Sequence, residues 1–148
     1  MLWRQAGTRM GERAAIMNLA LVTLERGAIM RSAELACESL ELSHEMRDDG
    51  SATTVRCIEI ASQILVALDS TRTGVGLVAT ATIHRELLGA PRPAAEQPEI
   101  DRMLRCARGA LGDSAFDAAW HRGQELSINE AVDLAASTLI TLVDTRSR

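Results

Sequence analysis

Three histidines, three cysteines and two glycine-containing turns are the places where this chain of 148 residues could do chemistry. Glu41-x-x-His44, with Glu45 and Asp48 close by, has the spacing of one arm of a carboxylate-bridged metal site, because residues three apart share a helix face. Such a site needs a second arm, and the residues three before His84 and His121 are Ala81 and Ala118. A solvated polar helix face accounts for the motif. Gly74-Val-Gly76-Leu-Val-Ala79 fits the GxGxxA form of a dinucleotide fingerprint, which requires a strand before it and another after its helix. Here the preceding run has helical period and a proline-rich segment follows, so the glycines are assigned to a packed helix. Gly112-Asp113-Ser114 lacks the second glycine of a nucleophile turn, and His121 falls on the same helix with no third group to orient it. Capping by Asp113 or Ser114 explains it. Cys37, Cys57 and Cys106 form no CxxC pair, are odd in number and lie in apolar helical patterns, so they read as buried, reduced thiols. No catalytic, cofactor-binding or metal-binding set emerges, and no enzymatic activity is expected.

Composition narrows the remaining classes. All sixteen cationic residues are arginine, so there is no lysine for a phosphate loop, a Schiff base or a Ser–Lys pair. The arginines are scattered among twenty acids, for a net charge of −4, which argues against a groove tracking nucleic-acid phosphates. With 47% hydrophobic but only 2% aromatic residues, the core has to be built from Ala, Leu, Ile and Val, a composition suited to closely packed helices. The sequence has neither a charged leader with an apolar run nor about 18 uninterrupted apolar residues, so a soluble, cytoplasmic protein without membrane contact is expected.

The elements that would position these residues are helices. Between Ala14 and Met46 a helix carries Ile16, Leu19, Ala20, Thr23 and Leu24 on one stripe, breaks at Gly27, and gives way to a second helix. That second helix has two apolar faces, Ala33, Ala36, Cys37 and Leu40 on one and Leu35 and Leu42 on another, which implies neighbours on both sides. A third helix over 51–68 buries Cys57, Ile60, Ala61, Ile64, Leu65 and Leu68, and a fourth spans 72–88. Aligning Leu35 with Leu77 and Gly27 with Asp69 gives an offset of 42, longer than the tetratricopeptide period of about 34. Gly74 and Gly76 weaken the fourth helix by about 1 kcal/mol each relative to alanine, which makes it the helix expected to fray.

The resulting expectation is all-α: tetratricopeptide-like stacked hairpins over 1–89, a proline-rich linker over 90–98, and a C-terminal helical cap over 99–143 packed on the repeats. In the cap, Ile100, Met103, Leu104, Ala107 and Leu111 share a face, Phe116 and Trp120 act as structural anchors, and Ser127-Ile-Asn-Glu130 is a capping box for the last helix. At the other end, Leu2–Gly11 aligns with Leu42–Gly50 as a helix end followed by a turn closing on glycine. Met1 would then begin inside an incomplete first repeat, with Leu2, Trp3, Ile16 and Leu19 forming a face that lost its upstream neighbour or mediates self-association.

The C-terminal third resembles the end of large actinobacterial signal-transduction ATPases, including LuxR-type transcriptional regulators. Their pattern is matched by Leu88-Gly89-Ala90-Pro91, then Leu111, Gly112, Phe116 and Trp120, then Leu126, Ser127, Glu130, Ala131 and Val132. Asn18–Gly27 and Cys37–Met46 are similar to that family's repeat units. The resemblance implies an upstream phosphate-binding loop and often a helix-turn-helix, and neither is in these residues. ATP hydrolysis and DNA binding therefore do not carry over. The expected function is a non-catalytic interaction or regulatory domain that binds a protein partner, such as an ATPase or transcription-factor module, or that forms a homodimer. The alternatives are a small-ligand sensor with an effector near Gly74 and Gly76, and a self-associating remnant.

Overall fold

The computed structural model describes residues 2–46 and 51–146, with the side chains of 2–8 and 10 outside the description. Among the described residues the chain forms seven helices and no strand: α1 (Leu2–Glu25), α2 (Ile29–Met46), α3 (Ala52–Ala67), α4 (Thr71–Leu88), α5 (Gln97–Leu111), α6 (Asp113–Gln124) and α7 (Ile128–Arg146). The all-α class is as the composition requires. None of the described helices is long and apolar enough to cross a membrane.

α1 pairs with α2 and α3 with α4 as antiparallel hairpins. Their turns are built alike. Gly27, at φ +85°, lets its amide reach Leu24 O at 2.9 Å while Ala28 N reaches Thr23 O at 3.1 Å. Forty-two residues on, Asp69 holds the same left-handed region at φ +65°, its amide bonds Val66 O at 3.0 Å, and Ser70 N bonds Leu65 O at 2.8 Å. α2 and α4 are each 18 residues long, and both of their ends are displaced by the same 42 positions.

The principal core runs from Met17 and Ala20 of α1 through Leu35 and Leu40 of α2, nearly all of the inner face of α3, and Ala131, Ala135 and Leu139 of α7. α7 lies along α2, which gives α2 the second neighbour that its two apolar faces predict. α6 packs on α4, and α5 bridges α3, α4 and α6. Two smaller clusters centre on Phe116 with Val75 and on Ile100 with Val78, and Trp120 packs against both.

Several expectations change. The turn expected before Gly11 is helical, because α1 runs unbroken from Leu2 to Glu25. Single glycines cost a helix about 1 kcal/mol each, too little to break one that is held elsewhere along its length. A Cβ at Gly11 would meet nothing within 4 Å. Gly11→Ala should therefore raise the stability of the fold by about 1 kcal/mol, read from the urea midpoint; a loss of stability would show that the helix depends on glycine there.

The buried stripe of α1 is rotated from the predicted one. Arg13, Met17 and Ala20 are buried, while Leu19 is 53% exposed. The period was legible, but a buried arginine inside the stripe disguised its phase. α4, expected to fray, is instead firmly enclosed, with Gly74 to Ala81 buried without interruption. α5 begins at Gln97 with a proline in its first turn, slightly inside the expected linker. The expected capping box is realised: Glu130 N donates to Ser127 Oγ at 3.1 Å and Ser127 N to Glu130 Oε1 at 3.0 Å.

Candidate functional site

The most unusual residue in the interior is Glu59. It lies in the wholly apolar stretch of α3 between Ile58 and Ile60 and is 0% exposed. A carboxylate taken out of water needs paired, hydrogen-bonded cations, and three arginines surround this one. Arg85 of α4 binds it side-on, Nε donating to Oε2 at 2.8 Å and Nη2 to Oε1 at 2.7 Å. Arg92, from the proline-rich segment, donates Nε to the same Oε2. Arg56, one helical turn before Glu59, places Nη1 3.9 Å from Oε1. Arg56 Nε in turn lies 3.3 Å from Glu96 Oε1.

The backbone completes the arrangement. Gly89 caps α4 in the left-handed region, which reverses the chain so that Ala90 and Pro91 pass over Arg85. Arg85 Nη1 donates to Ala90 O at 3.0 Å and to Pro91 O at 3.4 Å. Arg92 is held further by Gln97 Oε1 at 3.2 Å and Thr82 Oγ1 at 3.3 Å. The segment that reads as a linker is thus a strap fastened to the second hairpin by charge. Glu59 raises the pKa of the Arg85 guanidinium further, first through hydrogen bonding and then through its charge, against the opposing effect of burial.

Beside the strap, a cleft of about 460 Å³ opens between α1, α3 and the strap. Arg56, Arg85 and Glu96 bring charge to it, Met17 and Ile60 give it an apolar floor, and Pro91 and Pro93 form one wall. Arg56 Nη1 and Glu96 Oε2 are buried and make no hydrogen bond. The sequence offered one clue to this site: an acid flanked directly by Ile58 and Ile60.

The other sequence motifs fall elsewhere. Glu41 is exposed, and His44 Nδ1 lies 2.7 Å from Asp133 Oδ1, joining α2 to α7. Asp48 lies outside the described residues. Among the described residues no three metal-ligating side chains come together. Gly112, at φ +83°, joins α5 to α6, and Asp113 pairs with Arg108 at 2.9 Å. Phe116 and Trp120 are stacked with centroids 6.2 Å apart, and the Arg108 guanidinium lies 4.1 Å from the Phe116 ring centre. Of the predicted surface, Leu19 is exposed and Ile16 is partly buried against the core, while the Leu2 and Trp3 side chains lie outside the described residues.

Gly74 and Gly76 occupy helix crossings. A Cβ at Gly74 would come within 2.6 Å of Val66, and Gly76 faces Ala119 and Gly123 of α6. A second cleft, of about 380 Å³, lies beside this crossing, lined by Arg72, Thr73, Gly76, Arg122, Leu126 and other residues.

The cysteines divide by environment. Cys57 is buried, Cys37 is half-buried and Cys106 is exposed, the last against expectation because it faces outward from α5. Burial, followed by the charges of Glu41, Asp144 and Glu34, pushes the Cys37 thiol up to about 11. Burial also raises Cys57, opposed by Arg13, Ser39 and Arg56. Thiolate is the reactive form, so at pH 8 iodoacetamide should label Cys106 first, with Cys37 still accelerating as pH rises toward 11. Peptide mass spectrometry reads this directly, and equal labelling rates at Cys37 and Cys106 would contradict the assignment.

Comparison of the chain with protein-family models, curated proteins and solved structures finds no match.

Proposed function

We propose that this chain is a non-catalytic, tetratricopeptide-like regulatory arm that binds a protein partner, of the kind that ends signal-transduction ATPases and LuxR-type regulators. The observation that carries this reading is the repetition, at a spacing of 42 residues, of the hairpin turn with its left-handed residue and the two hydrogen bonds that close it. Stacked repeats bury each hairpin against its neighbours and leave the outer face of a terminal helix to whatever comes next. On α1 that outer face carries Ala15, Leu19 and Val22, spaced i, i+4, i+7 and all exposed, while its other sides meet α2 and α3. An apolar line of this kind suits a helical partner laid alongside it.

The test is capture by crosslinking from the native cytosol with the unaltered chain and with Leu19→Asp/Val22→Asp. Both positions are exposed, so the variant should keep its melting midpoint. Recovery of a nucleotide-binding ATPase or a transcription factor by the unaltered chain, lost in the variant, supports the arm. Equal recovery by both chains sinks the assignment of this face. Recovery of only the chain itself replaces the arm with a homodimer.

The cleft beside Gly76 favours a second reading, a sensor of a small effector. Its apolar wall of Leu126 and Leu134 together with Arg72 and Arg122 has the mixed character of ligand pockets.

A further inference from the structure

The cluster around Glu59 does not balance. Arg56, Arg85 and Arg92 supply three positive charges, and Glu59 and Glu96 supply two negative ones. At most 28% of any of these five side chains is exposed. An uncompensated positive charge in such a place is costly, and buried polar atoms are normally hydrogen-bonded. Yet one donor, Arg56 Nη1, and one acceptor, Glu96 Oε2, are left without a hydrogen bond, Arg56 Nη1 having only its 3.9 Å ion contact with Glu59, and both side chains line the same cleft.

These facts specify complementary chemistry. The excess charge calls for an anion, and a guanidinium nitrogen with a free N–H suits a carboxylate oxygen. The free carboxylate oxygen of Glu96 calls for a donor. Because Arg56 and Glu96 are already joined at 3.3 Å, the ligand's acceptor and donor have to lie close together, as on neighbouring carbons. Met17 and Ile60 at the floor, with the proline wall opposite, suit an apolar body.

We propose that this cleft binds a small aliphatic carboxylate carrying a hydroxyl on the adjacent carbon. The carboxylate engages Arg56 and closes the charge of the cluster, the hydroxyl donates to Glu96, and the alkyl chain covers Met17 and Ile60. The site is separate from the α1 face assigned to a protein partner, and it stands or falls independently of that assignment.

The experiment uses the full chain with three probes of one carbon skeleton: 2-hydroxyisocaproate, isocaproate and isocaproamide, with acetate at equal ionic strength as the control. Binding is read by calorimetry and by the melting midpoint. The hydroxy acid should bind best, raising the midpoint by about 5–10 °C at a hundredfold excess over Kd. Isocaproate should bind more weakly and the neutral amide not at all. Arg56→Gln should weaken the hydroxy acid by about tenfold or more, and Glu96→Gln should narrow its advantage over isocaproate. Ala14→Leu, which narrows the cleft from α1 without touching the charged groups, should abolish binding if Arg56→Gln proves too unstable to assay. Failure of both acids to bind the unaltered chain, which would leave the two atoms to an ordered water, overturns the proposal. So does an amide that binds as well as the acids.

Discussion

Glu59→Gln should destabilise the fold by about 3–5 kcal/mol, the range for removing one partner of a buried ion pair. The amide keeps the shape of the carboxylate but strips the counter-charge from two guanidiniums whose side chains are only 9% and 8% exposed. It also presents an amide donor to groups that can only donate. The loss would appear as a lowered urea midpoint, accompanied by loosening of the strap around Pro91 and Pro93, visible as faster amide exchange at Gln97 and Ala90. The first hairpin shows how the same position can be filled without charge: 42 residues before Glu59 and Arg85 stand Met17 and Ser43, both buried. Replacing Glu59, Arg85 and Arg92 together by methionine should therefore recover most of what Glu59→Gln loses, since buried ion clusters exchanged for apolar groups are often neutral. A triple variant no more stable than Glu59→Gln would show that the cluster does more than balance itself.

The second large effect is expected where α4 crosses α6. A Cβ built on Gly123 would come within 2.6 Å of Gly76 Cα and closer still to the Gly76 carbonyl oxygen. These are backbone atoms that no rotamer change can move aside. Thr80 Oγ1, which bonds Gly123 O at 2.6 Å and Gly76 O at 3.1 Å, ties the two backbones together at that point. Gly123→Ala has to separate the helices, at a cost of about 3 kcal/mol, the upper part of the range for overpacking. The substitution across the same contact should behave oppositely. A Cβ on Gly76 would meet Ala119 O at 3.4 Å, ordinary contact distance, and alanine favours the helix by about 1 kcal/mol. Gly76→Ala should thus be neutral or mildly stabilising. Equal losses in the two variants would mean that the crossing is looser than its geometry.

The contrast between these glycines explains how far the sequence could be read. The capping box at Ser127 and the apolar faces of α2 and α3 follow from period and turn chemistry, which are local. Gly74 and Gly76 look locally like weak points in a helix. Only the arrival of α6, with Gly123 forty-seven positions further on, turns Gly76 into a crossing. Arg13 misleads in the same way. Its bonds to Ser43 at 3.3 Å and Thr54 at 2.9 Å come from other helices, so the arginine joins a core stripe that its own helix would assign to solvent. Glu59 was visible as an acid among apolar neighbours, but its partner in the strap, Arg92, lies between two prolines after a change of composition. Non-local polar satisfaction was the part that periodicity could not supply.

The strap also sets an order of events for the growing chain. Thirty-three residues separate Glu59 from Arg92, so α3 leaves the ribosome with its acid still hydrated and its inner face only partly committed. Arg85 arrives with α4, but the carboxylate is fully enclosed only when the reversal at Gly89 has delivered Arg92. The smallest nascent segment able to close the second hairpin therefore ends beyond the hairpin itself, within the proline-rich stretch that by composition alone would mark a place to cut.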